Sequence, residues 1–170
     1  MKILLAIFVL TLSALAEDKT VARALAACGS DDVQLDVKTD KHQHPVAQPR
    51  ADKAILYVIE DQGPECAFCA ATIRLGMDGA WVGANHGRSY FFLAVEPGER
   101  HLCADWQRLP PVDRVVSLAH FTAEAGKTYY FRTRLVAAYD HSGYLLDLNP
   151  IDSDEAQFLM ASYAFSTLQP

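Results

Sequence analysis

The sequence predicts a mainly β protein, an antiparallel β-sandwich of about seven strands with a short helix at each end. Three observations support this fold class. Short segments rich in β-branched and aromatic residues recur along residues 53–170, turn signals separate them at short intervals, and no stretch alternates strands with long helices. The last observation disfavours a parallel α/β sheet.

The first 16 residues have the pattern of an export signal. Lys2 supplies a positive charge, residues 3–12 form an apolar run, and Ala14 and Ala16 give a small-residue exit before a charged stretch. The run is too short for a stable membrane anchor. We therefore predict a signal peptide at residues 1–16 that is cleaved after Ala16, with a buried N-terminal helix as the alternative.

Residues 25–29 (LAACG) resemble the box in which a cysteine becomes a lipidated N-terminus. Such a box should directly follow the apolar run, whereas four charged residues intervene between positions 17 and 23. Lipidation at Cys28 is therefore the minor alternative to cleavage after Ala16. Both place the protein outside the cytoplasm, either free in the periplasm or medium or anchored to the envelope.

The charge of the chain argues against nucleic acid as a partner. The formal charge is −6 at pH 7, and removing residues 1–16, which contain Lys2 and no acidic residue, makes it −7. This mild acidity argues against nucleic acid binding, which needs clustered Lys and Arg. No segment beyond the signal peptide is long and apolar enough to cross a membrane. Residues 17–170 suffice for one domain with a core.

Residues 17–52 are predicted to precede the sandwich as a short helix and an extended linker. Apolar residues recur at helical spacing over residues 18–28, and Gly29 is a natural stop. Residues 30–52 are polar and contain two prolines, which indicates a linker that wraps the domain. A strand-like patch interrupts this linker at residues 33–37.

Residues 53–170 form the predicted sandwich domain. Its first strand, at residues 54–59, is apolar throughout, as expected for a strand that is covered on both faces. Asp78 and Gly79 are a strong hairpin signal between two later strands. The other predicted strand segments are 72–77, 80–84, 89–95, 100–106, 115–122, 128–137 and 144–148.

A short C-terminal helix is predicted after Asn149 and Pro150 end the last strand. Asp152 and Glu155 have the spacing of a capping box. Apolar residues then follow at i, i+3, i+4 and i+7, which predicts a helix lying on the sheet. These residues are Ala156, Leu159, Met160 and Tyr163.

Five short motifs in a fixed order resemble an uncharacterised bacterial family of exported proteins and lipoproteins, the domain of unknown function 2846. The likeness covers roughly residues 50–150. It implies a β-sandwich, an extracytoplasmic location and no established activity, and it supplies no catalytic residues. The insert at residues 61–71 departs from the family pattern. The motifs are AILYV at 54–58, DGAWVG at 78–83, SYFF at 89–92, VEPGERH at 95–101 and AGKTYY at 125–130.

The four cysteines of the chain favour disulfides in an exported protein. If Leu102 and its alternate neighbours face the core, Cys103 faces away from it and needs a partner from outside the sandwich. The N-terminal segment that carries Cys28 is one candidate. This favours Cys28–Cys103 together with Cys66–Cys69, and the two other pairings stay open.

Cys66 and Cys69 form a Cys-x-x-Cys motif, which is typical of redox-active dithiols. Such dithiols usually lie at a helix N-terminus, whereas a Gly-Pro loop and a strand flank this motif, so a structural disulfide is favoured. A zinc site built from these cysteines and nearby histidines is disfavoured, because the spacing matches no recognised ligand set. We therefore expect no metal and no cofactor.

Tyr130, Arg132 and Arg134 share one face of a predicted strand. As an exposed stripe they could bind carboxylates, sugars or a partner protein. The alternative is an ordinary solvated face, or one covered by the acidic start of the C-terminal helix. The adjacent residues 140–142 (DHS) are interpreted as a polar turn, because neighbouring side chains do not converge into a triad.

Two classes of function follow from these observations. The first is an exported, non-enzymatic module that binds a cell-envelope component or a partner protein. The second is a thiol–disulfide or metal-dependent activity at Cys66 and Cys69, which rests only on their spacing. We expect the first, because no catalytic residues stand out in the sequence.

Intact-mass and non-reducing peptide mass spectrometry on protein expressed with its own leader tests the processing. We expect a chain that starts at Glu17 and, with its four cysteines in two disulfides, is four hydrogens lighter than the all-thiol form. A chain that starts at a lipid-bearing Cys28 would contradict this prediction.

Overall fold

Two β-sheets face each other across one apolar core. They were identified in a computed structural model, which describes residues 25–48, 50–62, 71–107, 115–138 and 143–169. The chain is mainly β, as predicted. The elements are β1 Val37–Asp40, β2 Ala54–Glu60, β3 Thr72–Met77, β4 Ala80–His86, β5 Ser89–Val95, β6 Gly98–Gln107, β7 Val116–Ala123, β8 Thr128–Ala137, β9 Tyr144–Pro150, α1 Ser153–Met160 and β10 Ala164–Leu168.

The described residues contain ten strands rather than about seven. Two of the additional strands are β1, in the predicted linker, and β10, in the tail after the helix. They pair with each other, from Val37 opposite Leu168 to Asp40 opposite Phe165. Their short, mostly polar sequences lack an alternating apolar pattern, so they are stabilised as strands by this long-range pairing rather than by local propensity.

The strand order is β1-β10-β5-β2-β8-β9 in the six-stranded sheet and β4-β3-β6-β7 in the four-stranded sheet. Most pairs are antiparallel, as predicted, but β2 pairs with β8 and β10 pairs with β5 in parallel. A parallel pair needs a crossover rather than a hairpin. Between β2 and β8 the chain passes twice through the four-stranded sheet, as β3–β4 and as β6–β7, and returns to the six-stranded sheet once as β5. Strands of the other sheet therefore supply the crossover instead of a long helix.

The core lies between the sheets, and β2 contributes to it with alternate residues. Leu56 and Val58 face the four-stranded sheet, where they join a cluster that includes Leu75, Leu102 and Ala104. The other face of β2 joins a second apolar cluster outside the sandwich. All seven residues of β2 are buried, which confirms the prediction of a strand covered on both faces.

The helix α1 covers part of the outer face of the six-stranded sheet and confirms the predicted C-terminal helix. The Asp152 side chain caps it by accepting hydrogen bonds from the backbone N–H groups of Asp154 and Glu155. This is one half of the predicted capping box. In the other half the Glu155 carboxylate would accept from the Asp152 N–H, but it pairs with Arg132 on β8 instead. The ion pair therefore ties the helix to the sheet.

The predicted N-terminal helix at residues 18–28 falls largely outside the described residues. From Leu25 onward the described chain forms a turn, in which the Cys28 N–H donates to the Leu25 carbonyl at 3.0 Å, and contains no N-terminal helix. Instead, residues 25–36 run across the outer face of the four-stranded sheet. We call this segment the N-terminal strap.

A disulfide between Cys28 and Cys103 fastens the strap, with the two Cα atoms 5.1 Å apart. This confirms the Cys28–Cys103 half of the favoured pairing and the outward orientation of Cys103, whereas Cys66 and Cys69 lie outside the described residues. Close approach of the two backbones requires Gly76, because a Cβ there would lie 2.8 Å from the Ala27 carbonyl oxygen. The strap thus lies flat on β3, and a larger residue would lift it.

The Asp78–Gly79 turn confirms the predicted hairpin between β3 and β4. Both residues have positive φ, 52° and 93°, which matches the twist of a two-residue hairpin. The Gly79 N–H donates to the Ala27 carbonyl at 3.1 Å, so the turn also contacts the strap. The Asp78 carboxylate accepts from the His101 N–H at 3.0 Å and pairs with Arg100.

A buried ion pair lies beneath the strap. Arg74 on β3 pairs with Asp105 on β6, and their side chains are 6% and 2% exposed. Arg74 also donates to the Val33 carbonyl of the strap, and its guanidinium lies 4.2 Å from the centre of the Trp81 ring. The Trp81 indole in turn donates to the Ser30 carbonyl at 2.7 Å. The strap therefore supplies two carbonyl acceptors, those of Val33 and Ser30, to side chains of the four-stranded sheet.

Replacing Cys103 with Ser should destabilise the oxidised protein by roughly 2–4 kcal/mol, because the bridge closes a loop between residues 75 positions apart. Urea unfolding and melting temperature measure the loss. Cys28→Ser and the double variant are the controls, since the bridge can be lost only once and the effects should not add. Unchanged stability in Cys103→Ser would count against the bridge.

Candidate functional site

A cavity of about 480 Å³ lies on the outer face of the six-stranded sheet. Its base is formed by three adjacent strands, each of which contributes a tyrosine: Tyr57 from β2, Tyr90 from β5 and Tyr130 from β8. We call it the tyrosine cavity. The walls come from the linker and from the end of α1, and comprise His44, Pro45, Val46, Gln157, Met160 and Ala161.

The strand register brings the aromatic rings together. Tyr57 lies opposite Phe92 on β5 and opposite Tyr130 on β8. Its ring centre is 5.1 Å from that of Phe92 and 5.2 Å from that of Tyr130, and the two tyrosine rings are nearly parallel. Such cross-strand aromatic pairs stabilise a sheet and hold their rings in place. The base of the cavity is therefore preformed.

The linker wall is held against the sheet by a hydrogen bond. The Ala47 N–H donates to the Tyr57 hydroxyl at 2.8 Å, and both residues are buried. Pro45 is half-buried beside the cavity, whereas the Val46 side chain is 74% exposed. An apolar side chain left this exposed at the edge of a cavity is available to contact a ligand.

The described lining contains no Asp, Glu, Lys or Arg side chain. Its polar groups are the tyrosine hydroxyls, the Gln157 amide and the His44 imidazole. Burial, together with the neighbouring Tyr57, raises the pKa of Tyr90 and of Tyr130 above the ordinary value. Both hydroxyls are therefore protonated at neutral pH, and each can donate or accept a hydrogen bond.

A buried polar cluster adjoins the end of β2, with Asp61 at its centre. The Tyr163 hydroxyl donates to Asp61 at 2.6 Å, and Arg134 donates to its second oxygen. Burial, the hydrogen bond to Asp61 and its negative charge raise the pKa of Tyr163 to about 12. Burial alone would raise the pKa of Asp61, but hydrogen bonds from Tyr163 and Arg134 and the charges of Arg134 and Arg132 outweigh it and lower the pKa.

Further polar side chains extend this cluster, and of these Asn85, Ser89 and Ser166 are buried. Arg88 donates to the Gln62 carbonyl at 2.8 Å, and Asn85 donates to the Val58 carbonyl at 3.1 Å. The Ser166 hydroxyl lies 2.7 Å from that of Ser89, which connects β10 to β5. These bonds satisfy polar groups at the sheet ends, so we assign the cluster a structural role.

The structure places the three residues of the predicted binding stripe in different settings. Tyr130 lines the tyrosine cavity. Arg132 pairs with Glu155 of α1, and Arg134 pairs with Asp61. All three side chains are half-buried. Cover by the acidic start of the helix, one of the sequence alternatives, thus describes Arg132, whereas Tyr130 adjoins a space that a ligand could fill.

Several predicted sites lie outside the described residues. They include the signal peptide, the Cys66 and Cys69 pair and the turn at residues 140–142. The thiol–disulfide activity therefore stays a prediction. Among the residues that the structure describes, no group of three or more His, Cys, Asp or Glu is placed to hold a metal ion, and no helix is long and apolar enough to span a membrane.

Sequence reasoning identified Tyr130 but missed Tyr57 and Tyr90. Tyr57 was interpreted only as part of a buried strand, since neither its neighbours nor its spacing marks a cavity. The available signal was that the outward faces of neighbouring strands each carry a tyrosine among apolar residues. Without the strand order β5-β2-β8, these tyrosines could not be placed side by side.

A smaller cavity of about 370 Å³ lies beside the first half of β8 and the end of β9. Its lining includes Phe121, Tyr129 and Pro150. Tyr130 contributes to this cavity as well, so any effect of changing Tyr130 would not by itself separate the two sites.

No protein-family model, no curated protein and no solved structure matches the chain. The resemblance to the uncharacterised exported family therefore stays a prediction.

Replacing Asp61 with Asn should destabilise the protein by about 1–3 kcal/mol at pH 7, because a buried charge-assisted hydrogen bond is lost. A carboxyl whose pKa is lowered by folding stabilises fully above its unfolded pKa of about 4 and loses that contribution as the pH falls through the folded pKa. Urea unfolding should therefore show the gap between variant and wild type narrowing in acid.

Asp36→Asn is the control for this experiment, because Asp36 is exposed. It should change stability little at any pH. A gap for Asp61→Asn that is constant from pH 7 down to pH 2 would contradict the assignment.

Proposed function

We propose that the protein is an extracytoplasmic, non-enzymatic binding module that holds a cell-envelope component, or a group presented by a partner protein, in the tyrosine cavity. The observation that carries the proposal is the cavity itself. It combines a preformed aromatic base, apolar walls and a few hydrogen-bonding groups within about 480 Å³, and this combination is typical of ligand sites.

The disulfide supports the extracytoplasmic location. Cys28–Cys103 joins two distant segments and is largely buried, since Cys28 and Cys103 are 8% and 0% exposed. Structural disulfides of this kind form in oxidising compartments and are rare in the cytosol. The predicted export signal gives the same location from an independent part of the chain.

The same disulfide favours cleavage after Ala16 over lipidation at Cys28. The Cys28 sulfur is bonded to Cys103, so it cannot also carry a lipid thioether. A chain that began at Cys28 would also lose the Ala27 carbonyl, which accepts the Gly79 N–H. We therefore propose a mature protein that keeps its strap and is free of a lipid at this position.

The settings of the neighbouring charged groups support a binding role over a catalytic one. Arg132 and Arg134, which follow Tyr130 on the same face of β8, are both paired with carboxylates. Asp61 is held ionised by two donors. General acid–base catalysis needs groups that are poised near the working pH and within reach of substrate, and these groups instead fasten the helix and the sheet end.

N-phenyl-1-naphthylamine, a neutral fluorescent probe, tests the proposal. We expect saturable binding to the oxidised protein with a rise in emission. Filling the cavity with Ala161→Trp or Gln157→Trp should weaken binding by about tenfold or more, because the added ring occupies the ligand space.

The matched control is Ser162→Trp, which adds the same ring one position beyond Ala161 and outside the described lining. Its probe affinity should equal that of the wild type, and circular dichroism should show that all variants are folded. Probe binding that neither cavity-filling variant weakens would overturn the proposal.

A further inference from the structure

We infer that the tyrosine cavity selects an uncharged small molecule: a mainly apolar body with a hydrogen-bonding group that reaches the tyrosine hydroxyls. The inference rests on the proposed function and specifies its ligand class. A group presented by a partner protein is the other occupant to be tested.

The walls of the cavity provide apolar contact. Pro45 and Val46 face it from the linker, and Met160 faces it from the end of α1. Met160 is half-buried, and its flexible thioether adapts to ligands of different shape. At the base, Tyr57 and Tyr90 are only 5% and 2% exposed, so these two rings offer little open face for stacking. This arrangement fits an inserted apolar group better than a sugar stacked on an open ring.

The two arginines that follow Tyr130 on the same face of β8 are already paired with carboxylates. Arg132 lies two residues beyond Tyr130, on the same face of β8, and pairs with Glu155 of α1. Further along the strand, Arg134 pairs with Asp61. Neither guanidinium is therefore free to pair with a ligand carboxylate, and the described lining has no carboxylate for a ligand ammonium, so burying either ligand charge there is unfavourable. Ion pairing around the cavity thus selects against charged ligands.

The tyrosine hydroxyls can orient a bound ligand through hydrogen bonds. The Tyr57 hydroxyl already accepts the Ala47 N–H, whereas Tyr90 and Tyr130, whose pKa values burial raises further above neutral, present protonated hydroxyls. A carbonyl, ether or hydroxyl at the inner end of the ligand can bond to these groups. A site that hydrogen-bonds its ligand at the base and contacts it apolarly at the walls fixes its orientation.

Two fluorescent probes that differ by one sulfonate group test the inference. N-phenyl-1-naphthylamine is neutral, and 8-anilinonaphthalene-1-sulfonate has the same ring skeleton with one sulfonate. The neutral probe should bind the oxidised protein at least about tenfold more tightly. Equal or tighter binding of the sulfonate, weakened by Ala161→Trp, would overturn the inference and leave the proposed function intact.

The ion pair provides a second measurement. Glu155→Gln releases the charge of Arg132 beside the cavity, so the preference for the neutral probe should shrink by about threefold or more. The matched control is Asp154→Asn, which removes an exposed carboxylate of the same helix turn and should leave the preference unchanged. An unchanged preference in Glu155→Gln would contradict the role of the ion pair.

If the proposed function is wrong, probe binding should follow a different pattern. If neither probe binds, or if both bind with affinities that Ala161→Trp and Gln157→Trp leave unchanged, no small molecule uses this cavity. The inferred ligand class and the proposed small-molecule site would then both be wrong.

Discussion

The architecture depends on one constraint, which is that the central strand β2 is apolar on both faces. All seven of its residues are buried, and a strand of this kind must be covered on both sides. The four-stranded sheet covers the inner face and forms the main core. The outer face is covered by the linker around Ala47 and by the helix α1.

That outer cover accounts for the cavity. The linker is held by the bond to the Tyr57 hydroxyl, and α1 is held by the pairing of Glu155 with Arg132. These anchors fix two walls and leave the space between them open above the tyrosines. The four-stranded sheet is covered in a comparable way, because the strap crosses Gly76 and is fastened by the Cys28–Cys103 bridge. The outer face of each sheet is therefore covered by a segment that side-chain bonds hold in place.

Local sequence patterns predicted the features that depend on one strand or one helix. Short-range sequence patterns are enough to predict four such features. They are the apolar run of β2, the Asp78–Gly79 turn, the outward position of Cys103 and the capped helix α1. The parallel β2–β8 pair and the β1–β10 pair were not predicted. They join segments far apart in the chain, and no local propensity encodes such pairings. The cavity was missed for the same reason, since it requires the order of three strands.

A crystal structure of the oxidised protein with the neutral naphthylamine bound would show directly whether the tyrosine cavity is the ligand site. We expect the probe to lie between the linker and α1, with its rings against Val46 and Met160 and above Tyr57, Tyr90 and Tyr130. A probe bound instead in the smaller cavity beside Phe121 and Tyr129, with the tyrosine cavity filled only by water, would contradict it.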